Sequence, residues 1–239
     1  MSENIKGRIN SIQSLAALDG PGIRYAVFMQ GCNLRCGCCH NPDTHRLCDG
    51  YEINAAEIVE KATRYRTYFG KDGGITLSGG EPLMQAEFAC EVLRLAKEAG
   101  INTCLDTSGS IMNEKVKELL GYTDRVLLDV KYTTEEDYEK YVGCSLDTVL
   151  SFLDHLQQIA MPTTLRQVII PTLNDSEESI GRLKAIKDSH PCIDKIELLP
   201  FKKLCSVKYD KLGIPFPFES FPEPTSGEMK KLEELLNIK

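Results

Sequence analysis

Nowhere does the 239-residue chain carry the run of roughly 18 apolar residues that a membrane-spanning helix needs, so no membrane is expected among its partners. Met1 to Lys6 lacks the continuous apolar stretch of a secretory signal, and a cytoplasmic location is expected. Basic tracts are missing too. With 28 Lys and Arg against 35 Asp and Glu the formal charge is -7, which repels phosphate backbones, and no nucleic-acid partner is expected. No linker rich in Gly, Ser or Pro and no internal repeat interrupts the chain, so residues 1–239 read as a single domain, a size that α/β barrels reach as one unit. Ten cysteines fall short of the roughly 8–10% of a disulfide scaffold. Four of them crowd at Cys32, Cys36, Cys38 and Cys39 while Cys48, Cys90, Cys104, Cys144, Cys192 and Cys205 are scattered, a distribution that suits a cofactor loop in a reducing compartment.

What is present is an ordinary globular composition, 42% hydrophobic and 26% charged, arranged as strands that alternate with helices. Short apolar or β-branched runs bounded by turn signals predict strands at Arg24 to Gln30, Gly74 to Ser78, Asn102 to Asp106, Arg125 to Val130, Thr163 to Ile170 and Lys195 to Leu199. Helical spacing predicts a helix from Asn54 to Phe69, opened by a capping box of Asn54 and Glu57. A second follows through Phe88, Val92, Leu95, Ala96 and Ala99, stopped by Gly100. Others fit Asn113 to Leu120, Leu146 to Ile159, Ser176 to Lys187 and Ser226 to Leu236, the last capped by Thr225 and Glu228. Tyr209 to Pro224, rich in Phe and Pro, reads as extended; it either lines a groove for a partner's loop or covers the edge of the fold. Such alternation implies βαβ units, a parallel sheet and a partial (β/α)6 barrel, with an open doubly wound sheet as the alternative.

In either architecture the chemistry belongs at the C-terminal ends of the strands. Cys32, Cys36, Cys38 and Cys39 follow the first predicted strand, Gly79-Gly80-Glu81 the second, and Asp106-Thr107 closes the third. Asp129 and Lys131 close the fourth, Arg166 lies in the fifth, and Lys202 follows the sixth. Three thiolates spaced CxxxCxxC can bind three irons of a cubane cluster and leave the fourth open, as catalysis at a metal requires. A zinc site completed by His40, Cys38 or Cys48 is the competing reading, and would make the chain a non-catalytic interaction module.

CxxxCxxC followed by Gly79-Gly80-Glu81 resembles the radical S-adenosylmethionine (SAM) superfamily. Asp19-Gly20-Pro21-Gly22-Ile23-Arg24, just ahead of the first predicted strand, further resembles the glycyl-radical enzyme activating family, and the likeness runs from about Gly7 to the C-terminus. Larger activators carry an inserted ferredoxin-like segment after the first loop, for which this chain has no room. The resemblance implies a partial barrel of the radical SAM type and a [4Fe-4S] cluster on Cys32, Cys36 and Cys39, with SAM chelating the fourth iron. It implies that Cys38, Cys39 and His40 lie along the cofactor, that Gly79, Gly80 and Glu81 receive the SAM amino group, and that Asp129, Val130, Lys131, Arg166 and Lys202 contact the rest of it. Asp106, Thr107, Asp129 and the Leu127 carbonyl align with a monovalent-cation site.

Two positions depart from the family pattern: Cys38 stands where an aromatic residue usually packs on adenine, and Lys202 where His is common. The implied activity is reductive cleavage of SAM to a 5′-deoxyadenosyl radical that takes hydrogen from a glycine Cα of a partner protein. No protein side chain is assigned a catalytic role of its own, because the radical chemistry belongs to the cofactor. The implied partner is pyruvate formate-lyase, with another glycyl-radical enzyme or a metabolite as alternative; a flavodoxin or ferredoxin is the implied electron donor, and a monomer is expected.

Overall fold

The computed structural model describes residues 5–236, organised as two compact units. One comprises the chain up to Asn33 with Thr44–Leu127; the other comprises Leu34–Asp43 with everything from Leu128. Residues 1–4, on which the reading of the N-terminus partly rests, lie outside the described residues.

In the first unit β1 (Lys6–Ala16) pairs antiparallel with β2 (Arg24–Met29) and, on its other side, with β3 (Tyr51–Asn54). Two helices follow, α1 (Ala55–Thr63) and α2 (Arg66–Phe69), before β4 (Gly74–Gly79), which lies parallel to β2. After α3 (Ala86–Glu98), β5 (Asn102–Thr107) extends the parallel sheet beside β4, and α4 (Glu114–Leu120) leads into β6 (Arg125–Asp129), along which the chain passes to the second unit. The strand order within this unit is β3-β1-β2-β4-β5. β2 and β4 are buried almost throughout, as strands covered on both faces must be. α3 turns Phe88, Ala89, Val92, Leu93 and Ala96 inward; Phe88, Val92 and Ala96 belong to the expected face, whereas Leu95 and Ala99 are only partly buried.

At the start of β2 the Asp19 to Arg24 segment forms a clasp. Arg24, fully buried, donates from Nε to Thr76 Oγ1 (2.9 Å) and from Nη1 to the Asp72 carbonyl (3.0 Å) and Asn102 Oδ1 (2.9 Å). Thr76 in turn donates to the Asp19 carbonyl (2.7 Å). A planar fork with five donors suits this task, since it joins the starts of β2, β4 and β5.

The second unit begins with α5 (Glu135–Tyr141) and α6 (Leu146–Gln158), and β7 (Thr163–Ile169) then pairs parallel with β8 (Ile193–Pro200) across α7 (Glu177–Ser189). α8 (Ser206–Leu212) and α9 (Ser226–Leu235) complete it. Side-chain caps open α5, α6, α7 and α9 at Thr134, Ser145, Ser176 and Thr225, and Thr225 with Glu228 makes the full reciprocal box.

All six expected strands are present, and β1 and β3 are additional. The capping box at Asn54 does not form: its side chain caps nothing, and its buried Oδ1 has no partner among the described residues. The helix expected to reach Phe69 breaks at Arg64–Tyr65, where Tyr65 turns inward onto Tyr25 (ring centroids 5.6 Å apart). The segment read as extended from Tyr209 instead begins inside α8. No helix among the described residues is long and apolar enough to cross a membrane.

Candidate functional site

In the first unit the turn after β4 is built by close backbone approach. Gly80 and Glu81 donate their N–H groups to the carbonyls of Met29 (3.0 Å) and Gly31 (2.8 Å), which seats the turn against the chain just before Cys32. A Cβ on Gly80 would lie 2.2 Å from the Gly31 oxygen; one on Gly79, whose φ is +99°, would lie 2.6 Å from the Met29 nitrogen. The glycines are thus required by this chain's own packing, a reason that spacing alone did not supply.

Glu81 is buried and accepts four hydrogen bonds. Leu83 N–H (3.1 Å) and Thr107 Oγ1 (2.6 Å) donate to Oε1, while Ser108 N–H (3.0 Å) and Oγ donate to Oε2. Burial pushes its carboxyl pKa up, and these donors only partly offset that. Since a carboxylate has about four lone-pair sites, its side chain is committed to tying the β4 turn to the β5 loop. Asp106 is engaged nearby, with Oδ2 accepting from Ser78 Oγ (2.6 Å). Ser108 sits in the loop that the sequence places at the end of β5, and its partnership with Glu81 is the part that spacing does not give.

In the second unit the cysteine loop is pinned along its backbone. Arg35 and Gly37 donate N–H groups to the carbonyls of Val142 (3.1 Å) and Tyr141 (2.9 Å), and Cys39 N–H closes a turn onto Cys36 O (3.1 Å). Tyr209 Oη donates to the Cys39 carbonyl (3.2 Å), and Asn41 N–H donates to Cys39 Sγ (3.3 Å). Phe218 packs beneath: a Cβ on Gly37 would fall 2.1 Å from its ring. Phe218 also meets Tyr141 edge-on and neighbours Phe201 and Phe221, so the Phe- and Pro-rich tail buttresses this loop.

No cysteine is in a disulfide, and within the loop they differ. Cys32, Cys36 and Cys39 are partly exposed, whereas Cys38 is buried at 7% exposure, and that burial pushes its thiol pKa up despite nearby Lys131. Cys38 therefore has the character of a small apolar filler. His40 Nε2 donates to the Lys202 carbonyl (2.9 Å), and burial lowers its pKa, so the ring is neutral. Cys48 is exposed and contacts Arg46 Nη2 (3.5 Å). Each side chain that would complete a zinc site is thus buried or already engaged.

Behind the loop lies an ion triad. Asp129 accepts from Arg166 Nε at Oδ1 (2.9 Å) and from Lys131 Nζ at Oδ2 (2.5 Å). Burial alone would raise the Asp129 pKa, but Arg166 and Lys131 more than reverse it and hold the carboxylate ionised. Burial would likewise lower the Lys131 pKa, yet Asp129 and then the Cys36 and Cys38 sulfurs raise it well above the ordinary lysine value. The intervening backbone is fixed by residues that sequence reasoning did not single out. Val130 N–H donates to the Arg166 carbonyl (2.9 Å), Gln167 Nε2 to Val130 O (3.1 Å), Asn174 Nδ2 to Lys131 O (3.3 Å), and Lys131 N–H to Tyr138 Oη (3.1 Å). Lys202 ion-pairs with Glu223 (2.9 Å), which holds it to the tail.

Among the described residues of either unit, no three His, Cys, Asp or Glu side chains gather into a metal site. Cys32 belongs to the first unit and Cys36 and Cys39 to the second. Soft, partly exposed thiols suit an iron-sulfur cluster, and the Lys131 ammonium near Cys36 would offset thiolate charge there.

The parallel βαβ arrangement and this loop define a class. The family model of the Radical SAM superfamily matches residues 26–183. The chain is 41% identical to the pyruvate formate-lyase-activating enzyme of Clostridium pasteurianum, over 97% of this chain and 98% of that protein, and 36% identical to that of Streptococcus mutans, over 98% and 92%. It therefore belongs to the radical SAM superfamily, within the family of pyruvate formate-lyase-activating enzymes. Among solved structures it resembles Streptococcus suis SuiB bound to the precursor peptide SuiA (TM-score 0.72, 14% identity, covering 95% of this chain and 46% of that one). It also resembles a domain of the activating enzyme from Bacteroides vulgatus (TM-score 0.58, 22% identity, 69% and 93%). At such identities the likeness shows the fold alone, the mostly parallel partial-barrel type, which sets aside the doubly wound alternative.

Proposed function

We propose that this protein activates pyruvate formate-lyase by installing a glycyl radical on it. The observation that carries this reading is the three-plus-one arrangement of the cysteine loop, with Cys32, Cys36 and Cys39 partly exposed and Cys38 withdrawn. Those three would hold a [4Fe-4S] cluster. When bound, the cluster supplies one electron that cleaves SAM to methionine and a 5′-deoxyadenosyl radical, which takes a hydrogen atom from a glycine Cα of the partner.

The chain's own part is placement. The Gly79–Gly80 backbone and the Asp129–Lys131 run would bind SAM, with Glu81 holding the first of these in position and Asp129 the second. Lys131 and Arg166 remain charged in a dry setting and suit an anionic end of the cosubstrate. Cys38, His40 and Lys202 would frame the nucleotide. A monovalent cation at Asp106, Thr107, the Leu127 carbonyl and Asp129 would compete with Lys131 and Arg166 for the Asp129 carboxylate. Residues 1–239 would act as one domain, because the chain crosses between its two units at Asn33–Leu34, Asp43–Thr44 and Leu127–Leu128 without a linker. A monomeric cytoplasmic enzyme served by a flavodoxin- or ferredoxin-type donor completes the reading.

Anaerobically reconstituted protein, reduced and mixed with SAM and purified formate-lyase, is expected to produce a glycyl-radical doublet by electron paramagnetic resonance. A colourless, zinc-containing preparation without that signal overturns the proposal. Cys38→Ala is expected to keep full iron and sulfide content, with a stability loss of about 1 kcal/mol for the lost buried sulfur. Loss of the cluster on that substitution would make Cys38 a ligand.

A further inference from the structure

Tyr132 presents a buried hydroxyl with nothing to bond to. The residue is 1% exposed, and its Oη is one of three buried side-chain polar atoms without a partner among the described residues, the others being Asn54 Oδ1 and Gln167 Oε1. Tyr132 is the donor of the three; the other two atoms are acceptors. Buried phenols ordinarily find a partner, because an unmade hydrogen bond leaves the desolvation penalty uncompensated.

The ring is held rigidly beside the cysteine loop. Tyr138 meets it edge-on (centroids 6.4 Å apart, 87°) and Tyr141 packs at 5.4 Å. The carbonyl of that same Tyr141 anchors Gly37 between Cys36 and Cys38. Burial raises the Tyr132 pKa, and the Cys38 and Cys36 sulfurs raise it further, so the hydroxyl keeps its proton and can only benefit from an acceptor.

We propose that the Tyr132 hydroxyl donates a hydrogen bond to the iron-sulfur cluster, at a sulfide or at the Cys36 thiolate, and thereby raises the cluster's reduction potential. The inference rests on the cluster reading above. A donor aimed at a cluster sulfur stabilises the more negative, reduced state, and among the described residues no protein atom accepts from this hydroxyl.

Tyr132→Phe keeps the ring and removes the hydroxyl, and it separates this role from a structural one by sign. In the cluster-free protein the variant is expected to melt no lower than the parent, since an unsatisfied group has been removed. In the reconstituted protein, iron and sulfide content are expected to match the parent while the reduction equilibrium constant falls about tenfold, a shift of 59 mV to more negative potential for one electron. The deuterium-sensitive iron-sulfur vibrations of the parent in heavy water are expected to lose one contribution in the variant. An unchanged potential with an intact cluster overturns the proposal. So does a lower melting temperature of the cluster-free variant, which would reveal a partner within the protein. Failure of the parent to bind iron and sulfide at all would instead overturn the functional reading on which it stands.

Discussion

Replacing Asp129 with Asn is expected to destabilise the protein by about 3–5 kcal/mol at pH 7, because the buried Arg166 and the half-buried Lys131 would remain without their counter-charge. The geometry makes the loss severe. Lys131 Nζ and Arg166 Nε approach opposite oxygens of one carboxylate, so an amide can satisfy one of them only by turning its NH2 toward the other. The pH dependence follows from the shifts. Asp129 has a depressed folded pKa, so its contribution is present above the unfolded value near 4 and is lost as pH falls below it. Lys131 has a raised one, so its contribution is present below the unfolded value near 10 and is lost only as pH rises through the higher folded value. In the Asn variant the remaining burial lowers the Lys131 pKa instead, and the penalty should shrink as pH climbs toward about 10 and the lysine sheds its proton. Denaturant titrations across that range check this, and adding Lys131→Met to the Asn variant should recover part of the loss. A single variant within about 1 kcal/mol of the parent at pH 7 would show that the pairs are screened like surface ones.

The strands that sequence pattern revealed are those covered on both faces, because a run such as Gly74–Gly79 is apolar without interruption. β1 escaped notice because its second half alternates between exposed and partly buried residues, and Asn10, Ser11, Gln13 and Ser14 dilute the pattern. β3 is four residues long with Ile53 as its one buried side chain. α5 buries only Tyr138 and has no apolar stripe, although the Thr134 cap and the acidic first turn that follows are a legible start signal. The break after Thr63 had no local cue, since it arises from Tyr65 packing on Tyr25 across the fold.

The site was legible wherever chemistry fixes the residue type, and illegible wherever packing does. Thiol spacing marked Cys32, Cys36 and Cys39. It could not tell Cys38 from them, because the difference is burial, which spacing does not carry. Phe218 stands in the sequence as part of an aromatic tail, but that Gly37 admits its ring depends on two segments that meet only in three dimensions. Gln167 and Asn174, which hold the Val130–Lys131 backbone, look like ordinary strand and loop amides in sequence.

Glu81→Gln is expected to be the most damaging conservative change in the first unit. Four donors converge on the carboxylate, two of them backbone N–H groups that cannot rotate away, Leu83 on one oxygen and Ser108 on the other. Either orientation of the amide sets its NH2 against one of those N–H groups. The cost of leaving that N–H and the facing NH2 unpaired is about 2–6 kcal/mol, at roughly 1–3 kcal/mol for each buried group. The damage should exceed stability. Glu81 joins the Gly79–Gly80 turn to Thr107 and Ser108, and on the SAM-binding role proposed for that turn a displacement of about 1 Å can cost on the order of a hundredfold in rate. Glycyl-radical yield should therefore fall by about that factor even in protein that remains folded and iron-loaded. The opposing force is burial, which raises this carboxyl's pKa and favours a protonated acid, for which Gln is a close mimic. Were the acid protonated in the folded state, stability would decline as pH rises above the unfolded value near 4, and Gln would abolish that decline while preserving the melting temperature at neutral pH. Two melting curves at pH 7, parent and variant, decide between the two: equal midpoints mean a proton sits on Glu81, and a clear loss means that four donors have prevailed over burial.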